Sequence, residues 1–595
     1  MQQIFNLDFW HDVRCYYCLR SVITSVHNQS KYLKRLVSDA RVVALGVVVF
    51  ASSVGLDKLQ PSNVAWLSFR DQKTHWLGWQ FFAATDWAWP PGLNPRYGWD
   101  SVTSIVATDS LPLFALVFKL LDIESVNNGQ YFGISYLLGS ILLCLGCSRL
   151  LEFFGVRGFC KFLGILLLVS SPIFWVMHEW YPALSAGMGL LVWSLHRYFY
   201  DFKYQKFSIR HWSVLLLAGV ATQFYLFAII LGLSFATAVS VLPANSGARL
   251  RLIRSICVLL GVVVTAMYLI GYFATPIQRA SAGSGYGDFS ANLLGLVDFN
   301  GASRIIPDLP STESQVDPTA IGLGGLILLV LLLAVRTKNS VKSVQMSIKK
   351  HWALTGMLAA MAIFSVSNVV SVGQLTLTIP LPETVVQSLS VFRSSSRFLW
   401  PSVMLLNLAL VVLISRVFKK ATVLLLTVVL IQLIDIQGSY GQVSQRLNGS
   451  TIDINYEAEL WENVPLAYTT ISHHRAGNYK GEWAECAYAA LRSSRIAECA
   501  YLARVISLEE INNDRESLIL GGTPPLEIIF WFDHQWVSAH LTQLVDLYDN
   551  EEHGFMVVPN GNGILFFPEC SRFQNCRFLD GYRLGLEVAL TRAAG

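Results

Sequence analysis

The residues best suited to chemistry lie in one stretch, Asp71–Pro112, which reads DQKTHWLGWQFFAATDWAWPPGLNPRYGWDSVTSIVATDSLP. It contains four carboxylates and one imidazole, which are Asp71, Asp86, Asp100, Asp109 and His75. A carboxylate placed near a hydroxyl group can take its proton as a general base. Five tryptophans accompany these groups, and aromatic rings with a polar tip favour the boundary between lipid and water. The stretch therefore predicts acid–base chemistry at a membrane surface, with His75 and Trp79 in the substrate cavity.

Polar residues in three later segments are candidates for the same site. Arg393 and Arg397, in FRSSSRFLWP, are spaced four apart on one helical face, where their planar donors suit a phosphate group. The alternative is that both arginines reach lipid headgroups. Arg304 and Asp288 lie in a glycine-rich loop at 275–318, and His178-Glu179 lies in a short turn, MHEWYP. We predict Arg304 as a third phosphate ligand and the other three as cavity residues, with solvation as the alternative for each.

The composition places the chain among membrane proteins. Of its 595 residues, 53% are hydrophobic and 14% are charged, with a mean hydropathy of +0.46, which excludes an ordinary soluble enzyme. The net charge of +4 is too small to indicate a nucleic-acid partner. The expected environment is membrane lipid.

Apolar runs between residues 40 and 436 predict about eleven membrane-spanning helices, several of them shorter than the roughly 20 residues that a crossing needs. The predicted spans are 41–58, 131–150, 158–177, 182–199, 211–222, 225–243, 254–274, 319–336, 352–371, 398–416 and 421–436. The pair beside Gln223 is open to a second interpretation, a single broken helix. Leu111–Ile123 is apolar but about a dozen residues long, which favours an interfacial or re-entrant helix.

The distribution of basic residues predicts the orientation. One set of alternate connections holds 24 Lys and Arg residues, and the opposite set holds far fewer. By the positive-inside rule the first set is cytoplasmic, so the Asp71–Pro112 loop faces outward. An odd number of crossings places residues 437–595 outward as well. We expect a multi-pass protein of the bacterial inner membrane, with its site and its tail in the periplasm.

The chain divides into a cytoplasmic segment at 1–40, a transmembrane domain at 41–436 with an outer catalytic loop at 59–130, and a tail at 437–595. The tail has 20 Asp and Glu residues against 11 Lys and Arg, and no run long enough to span a membrane. Strands are predicted at Leu526–Phe532 and Gly563–Phe567, and a helix at Cys486–Ser507, which indicates a soluble α/β domain. Its four cysteines, at 486, 499, 570 and 576, either form two disulfides or remain free buried thiols. The pairs 486–499 and 570–576 are one of three pairings.

The order of the motifs resembles the GT-C superfamily of integral-membrane glycosyltransferases, which use sugars carried on polyprenyl phosphate. The acidic residue soon after the first crossing, the Trp-Pro turn and the Pro-Leu helix start, here Asp71, Trp87–Pro90 and Asp109–Leu113, are similar to the first outer loop of those enzymes. GWQFFAATDWAWPPGLNP, TDSLPL, the HE pair, the 275–318 loop and FRSSSRFLWP are similar to a bacterial GT-C-like group of largely uncharacterised members. The resemblance covers residues 40–436. It implies a GT-C-like fold and a catalytic carboxylate at Asp71.

Sugar transfer from a lipid phosphate breaks the anomeric C–O bond, with a phosphate as leaving group and an acceptor hydroxyl as nucleophile. Asp71 is the predicted general base, and Asp109 shares the acid–base work or holds the acceptor. Arg393, Arg397 and Arg304 would stabilise charge that develops on the phosphate. The scheme requires no cofactor and no metal, although Asp71 and Asp109 offer oxygen ligands for a divalent ion.

Three function classes follow from these observations. The first is an inverting glycosyltransferase that modifies a periplasmic glycan such as O-antigen or another surface polysaccharide. The second is an enzyme of the same fold that glycosylates a protein such as a pilin, with the tail recognising the acceptor. The third is a transporter or flippase for a lipid-linked glycan, which should place charges inside several crossings. The predicted spans are nearly free of charge, which favours an enzyme.

Overall fold

A computed structural model describes most of the transmembrane region and parts of the tail. The described residues are 35–98, 103–174, 182–274, 285–299, 301–310, 317–335, 345–438, 447–448, 452, 454, 456, 458–474, 483–502, 509–532, 534–540, 542–544, 554–557 and 564–568. Four of the predictions above, at Asp100, His178, Glu179 and the cysteine pair 570–576, lie outside these residues.

The chain is mostly helical up to residue 438. The helices in this region are α1 (Arg35–Ser53), α2 (Arg70–Ala84), α3 (Pro112–Leu121), α4 (Glu124–Asn127), α5 (Phe132–Phe153), α6 (Gly158–Val169), α7 (Pro182–Tyr204), α8 (Ile209–Val220), α9 (Phe224–Ser240), α10 (Ser246–Leu269), α11 (Leu323–Ala334), α12 (Trp352–Val366), α13 (Glu383–Leu389), α14 (Trp400–Val417) and α15 (Ala421–Asp435). Two short hairpins interrupt them. These are β1 (Leu93–Asn94) with β2 (Thr103–Ser104), and β3 (Val369–Val372) with β4 (Leu375–Thr378), both antiparallel.

Four helices are long and apolar enough to cross a membrane among the described residues, which corrects the expected count of eleven. They are Arg35–Ser53, Phe132–Phe153, Ser246–Leu269 and Ser395–Val417. Seven other apolar helices have only 10–17 residues, and at 1.5 Å per residue they are shorter than a hydrocarbon layer about 30 Å thick. One reason is visible at Gln223. The chain leaves α8 there, and the Gln223 side chain caps the next helix, α9, by accepting from the Tyr225 N–H at 2.6 Å.

Helix α2 forms the start of the first outer loop, and α3 supports its end. Asp71 lies in the first turn of α2, where a negative charge is favourable to the helix dipole. At the other end, the Lys119 ammonium group of α3 donates to the carbonyl oxygens of Phe82 and Thr85, each at 2.7 Å. The ammonium group also lies over the rings of Phe82 and Trp87. These contacts satisfy carbonyl groups that a helix end leaves open, and they hold α2 in place.

The tail contains one five-stranded mixed sheet with the strand order β6-β5-β7-β9-β8. Its strands are β5 (Thr470–His473), β6 (Ile496–Glu498), β7 (Ile528–Phe532), β8 (Gly554–Val557) and β9 (Ile564–Pro568). Strands β5, β6 and β7 run parallel, and β9 is antiparallel to both β7 and β8. The tail helices are α16 (Ala458–Asn463), α17 (Trp483–Arg492), α18 (Glu509–Leu520) and α19 (His534–Ala539). The two predicted strands thus correspond to β7 and β9.

The helix predicted at Cys486–Ser507 is only partly correct. Helix α17 ends at Arg492, Ser494 adopts a positive φ of 58°, and the chain continues as strand β6. Helical periodicity does not detect this change of direction, because it depends on pairing with β5. The disulfide Cys486–Cys499, one of the pairings that the sequence left open, is present and joins α17 to the residue after β6.

The tail packs directly on the first outer loop. Tyr97 forms a parallel bridge with Ala497 of β6, whose N–H donates to the Arg96 carbonyl at 3.0 Å, while the Gly98 N–H donates to the Ala497 carbonyl at 2.8 Å. Beside this bridge, the Trp76 ring of α2 lies 5.9 Å from that of Tyr488 on α17. The loop therefore extends the edge of the tail sheet, and one continuous core contains residues of both.

The disulfide should stabilise this junction, because it closes a loop of 13 residues between the two tail elements that contact the outer loop. We expect Cys486→Ser with Cys499→Ser to lower stability by about 2–4 kcal/mol, measured as a reduced melting temperature in detergent. Cys257→Ser is the control, since that thiol is free and exposed and its loss should change little. An unchanged melting temperature in the double variant would show that the disulfide contributes nothing to the junction.

Candidate functional site

Asp71 and His75 lie one turn apart on α2, and the helix holds both side chains away from bulk water. His75 is 5% exposed, and Asp71 is partly buried. On a helix, residues four apart are neighbours, so the carboxyl group and the imidazole belong to one site. The sequence predicted both residues, and the structure brings them together.

The turn at 105–111 packs against this face of α2 and carries Asp109. The Ser110 hydroxyl donates to the His75 carbonyl at 2.7 Å, and Ser110 and Thr108 hydroxyls lie 2.7 Å apart. Gly78 makes this approach possible, since a Cβ there would lie 2.2 Å from the Thr108 hydroxyl oxygen. A larger residue on α2 would push the turn away from the site.

Two residues of this turn have left-handed backbone conformations. The φ angles of Asp109 and Leu111 are 49° and 51°. Aspartate tolerates this region, but for a leucine it costs roughly 1–2 kcal/mol. Strain of this kind persists only where surrounding contacts fix the backbone, here the Tyr131 hydroxyl, which donates to the Ser110 carbonyl, and the Leu113 N–H, which donates to the Ala221 carbonyl.

A hydrogen bond to the turn fixes the orientation of the His75 imidazole. Its Nδ1 lies 2.8 Å from the Thr108 carbonyl oxygen. A carbonyl oxygen only accepts, so Nδ1 carries the proton and Nε2 of the neutral ring carries a lone pair. Nε2 is buried and has no hydrogen-bond partner among the described residues. The ring is thus positioned by one nitrogen and has the other available as an acceptor.

Arg397 faces the same site, but it is engaged in a buried ion pair that the sequence did not indicate. Its Nε and one terminal nitrogen donate to the two carboxylate oxygens of Asp317 at 3.0 and 3.3 Å. Ser396 donates to the same carboxylate at 2.9 Å, and the guanidinium group stacks on the Tyr225 ring. Asp317 is 1% exposed and Arg397 is 5% exposed.

Arg393 lies at the start of this segment and is only half-buried. Its guanidinium group lies over the Phe289 ring, 5.0 Å from the centroid, and its carbonyl accepts from the Phe289 N–H. Asp288 is close enough that Arg393 opposes the effect of burial, which raises the pKa of the Asp288 carboxyl group. Of the two arginines in FRSSSRFLWP, Arg393 is therefore more accessible to a ligand than Arg397.

The electrostatics of Asp71 connect these groups. Burial raises the pKa of Asp71, and His75, Arg397 and Arg393 oppose that rise, while Asp109 reinforces it. For His75 burial lowers the pKa, which Asp71 opposes. Two residues of the first loop and two from a segment more than 300 residues later thus act on one carboxyl group. Such a carboxylate, desolvated but near cationic groups, suits a general base whose pKa lies closer to neutrality than that of a free aspartate.

Other predicted residues lie elsewhere. Trp79 is fully buried in the core, where its ring packs on Tyr131 and its N–H donates to the Val126 carbonyl, so its prediction as a cavity residue was wrong. Arg304 is exposed, and its backbone N–H, rather than its side chain, binds Asp435. The described residues contain no group of three or more His, Cys, Asp or Glu arranged to hold a metal ion.

No pattern in the sequence predicted roles for Asp317 or for the Thr108–Ser110 pair. Asp317 is one carboxylate among several in the loop at 275–318, and no local pattern distinguishes it. Thr108 and Ser110 flank Asp109 in the TDSLPL motif, so the motif itself was the signal that they position the turn.

Residues 43–437 match a protein family described as a domain of unknown function, DUF6311. The chain belongs to the DUF6311 family. Every residue of the cluster, from Asp71 to Arg397, lies within the DUF6311 region, and the five-stranded tail sheet lies beyond it. No curated protein matches the chain.

The two arginines should differ in what their removal does. Arg397→Gln leaves the Asp317 carboxylate buried without its partner, which should cost about 3–5 kcal/mol and lower the melting temperature and yield. Arg393→Gln is the matched control and should leave both near wild type, since Arg393 is half-buried beside an aromatic ring. The double variant Arg397→Gln with Asp317→Asn should recover much of the lost stability. If Arg397→Gln is as stable as Arg393→Gln, the ion pair has no structural role.

Proposed function

We propose that this protein is an inverting glycosyltransferase of the GT-C type, which moves a sugar from a polyprenyl-phosphate carrier to a periplasmic glycan. The observation that carries the proposal is the cluster around Asp71. A partly buried carboxyl group of the first outer loop lies within electrostatic reach of Arg393 and Arg397, from the segment before α14. An acid–base group and phosphate-binding cations in one site are what sugar transfer from a lipid phosphate needs.

In this scheme the acceptor hydroxyl oxygen attacks the anomeric carbon as the bond between that carbon and the phosphate oxygen breaks. The phosphate leaves with the bonding electrons, and the acceptor proton passes to the Asp71 carboxylate. A single displacement of this kind inverts the configuration at the anomeric carbon. Arg393 stabilises the charge that develops on the leaving phosphate, and Arg397 contributes positive potential from its ion pair with Asp317. Asp109 borders the acceptor side and, with Asp71, offers oxygen atoms to a divalent ion if one takes part.

His75 has a supporting role in this scheme. His75 lies one helical turn from Asp71 and its ring is oriented by the Thr108 carbonyl, so in this scheme the Nε2 lone pair accepts the proton from the carboxyl group after transfer. The tail packs against the same helix through Tyr488 and Trp483, which supports an acceptor site within reach of the tail. This contact equally favours the second candidate, a protein acceptor recognised by the tail.

The periplasmic side is favoured for the site by two observations. The tail and the first outer loop are in direct contact and therefore share one side of the membrane. The Cys486–Cys499 disulfide is typical of an oxidising compartment such as the periplasm. The inner membrane of a Gram-negative bacterium is consistent with both, and with the basic connections on the opposite side.

The orientation predicts which positions a membrane-impermeant thiol reagent reaches in intact cells with a permeable outer membrane. Trp89→Cys and Leu466→Cys, at side chains that are 70% and 87% exposed, should be labelled from outside. Lys203→Cys, at the end of α7, is exposed but should be labelled only after lysis. Labelling of Lys203→Cys alone in intact cells would reverse the orientation.

The role of Asp71 predicts that Asp71→Asn abolishes glycan modification in cells, because loss of a general base typically costs about 10²–10⁴ in rate. The exposed carboxylate Asp86 is the matched control, and Asp86→Asn should retain activity. If Asp71→Asn is active and Asp109→Asn is not, Asp109 is the base.

The same substitution should not weaken the fold. Burial raises the pKa of Asp71, so the ionised carboxylate destabilises the folded chain. The protonated carboxyl group contributes stability at low pH, and that contribution is lost as the pH rises through the raised pKa. Asp71→Asn should therefore be more stable than wild type near neutral pH, by about 0.5–2 kcal/mol. The difference should shrink as the pH falls and the carboxyl group becomes protonated. A melting temperature below that of wild type at every pH would assign Asp71 a structural role.

A further inference from the structure

The hairpin β3–β4 lies between two helices of the transmembrane region and has an unexpected apolar surface. It follows α12 after two residues, and the chain returns through α13 to the segment that contains Arg393 and Arg397. The predicted spans at 352–371 and 398–416 leave residues 372–397 between them as a connection. None of the proposed catalytic groups lies in the hairpin.

One face of the hairpin consists of four aliphatic residues. Val370 pairs with Leu377 and Val372 with Leu375, and residues two apart in a strand share a face. The exposed fractions of Val372, Leu375 and Leu377 are 43%, 78% and 66%. Ile379, just beyond β4, is 47% exposed and extends the patch.

The opposite face is anchored to the protein through β3, while Thr376 and Thr378 of β4 are exposed. Ser371 is 1% exposed, and its carbonyl accepts from the Leu293 N–H at 2.9 Å. The Asn292 side chain clamps the hairpin turn, because it donates to the Gly373 carbonyl at 2.8 Å and accepts from the Gly373 N–H at 3.0 Å. The aliphatic face is therefore held outward by a defined set of hydrogen bonds.

The surrounding sequence contains none of the charges that keep an exposed strand in water. Residues 352–382 include no Asp, Glu, Lys or Arg, a run of 31 residues that spans α12 and the whole hairpin. Soluble proteins protect edge strands with charged side chains, most often lysine, and β4 carries threonine instead. The apolar surface also continues that of α12, where Ile363 is 75% exposed.

We propose that the aliphatic face of β3–β4 binds the acyl chains of the outer leaflet, with the hairpin lying at the boundary between headgroups and hydrocarbon. A deeper position is excluded by the outer edge of β4, whose backbone groups would lack partners in hydrocarbon. At the boundary, headgroups and water satisfy that edge while the four aliphatic side chains contact lipid. The occupant is bilayer lipid rather than a second protein.

This position has a consequence for the neighbouring site. The Ser290 hydroxyl donates to the Val369 carbonyl of β3. The ring of the preceding residue, Phe289, packs against the Arg393 guanidinium group. The hairpin thus fixes the depth of Arg393 relative to the membrane surface. The inference does not rest on the proposed function, since lipid contact at β3–β4 holds for a transporter as well as for an enzyme.

Nitroxide labels test the proposal in the full-length protein in phospholipid nanodiscs, with the unpaired cysteines replaced by alanine. We expect labels at Leu375→Cys and Leu377→Cys to collide more often with oxygen, which concentrates in lipid, than with a water-soluble nickel chelate. Thr376→Cys, on the other face of the same strand, is the matched control. Its label should collide more often with the nickel chelate than the labels at residues 375 and 377 do. Leu466→Cys, in the tail, is the reference for full exposure to water.

Each alternative gives its own result. High nickel accessibility at residues 375, 376 and 377 would place the hairpin in water and overturn the proposal. Low accessibility to both reagents at 375 and 377 would show that a protein surface covers them, which also overturns it. As a second measurement, Leu375→Asp with Leu377→Asp should lower the melting temperature in liposomes more than Thr376→Asp with Thr378→Asp does. Equal effects would contradict lipid contact even if glycan modification is lost.

Discussion

The burial of the Asp71 carboxyl group is the constraint on which the rest of the site depends. A carboxylate removed from water is costly unless cations and hydrogen bonds compensate, and here the compensating charges come from a distant part of the chain. Arg397 has its own buried partner in Asp317, so its position is fixed whether or not Asp71 is ionised. The arginine is therefore held in place before any ligand binds. Under the proposed function it would need no reorganisation when charge develops on the leaving phosphate.

Helix α2 contacts both the loop that carries Asp109 and the tail domain. One face carries Asp71 and His75 towards the turn at 105–111, and another carries Lys73 and Trp76 towards the tail helix α17. Gly78 allows the turn to approach within hydrogen-bonding distance, and Lys119 holds the far end of the helix. A displacement of the tail would act on α2 directly, which couples whatever the tail binds to the geometry around Asp71.

The membrane region combines a few long helices with many short ones. Short apolar helices end in polar or strained residues, such as Gln223 before α9 and Ser367, with a φ of 63°, after α12. Irregular backbone near a membrane is tolerated where protein or a water-filled cavity surrounds it. The segments that carry Arg393, Asp288 and the hairpin β3–β4 are of this kind, so the residues proposed to meet the substrate lie on the loops between helices rather than inside them.

The sequence alone was sufficient for the membrane class, the boundary between an apolar region and a polar tail, and the prediction that Asp71, His75 and Asp109 lie in one loop. Each of these follows from composition or from residues close in the chain. It was not sufficient for the number of spanning helices, because an apolar run such as 319–336 does not show where the helix within it begins and ends, here at Leu323 and Ala334.

The tertiary structure alone decided which charges meet. Arg397 resembles a free phosphate ligand in FRSSSRFLWP, yet its partner is Asp317, 80 residues away, and nothing in either local sequence indicates the pair. Trp79 was predicted in the substrate cavity, yet the rotation of α2 turns it into the core. Side-chain direction around a helix and contacts between distant segments depend on how the helices pack. Those properties belong to the fold and not to any stretch of residues.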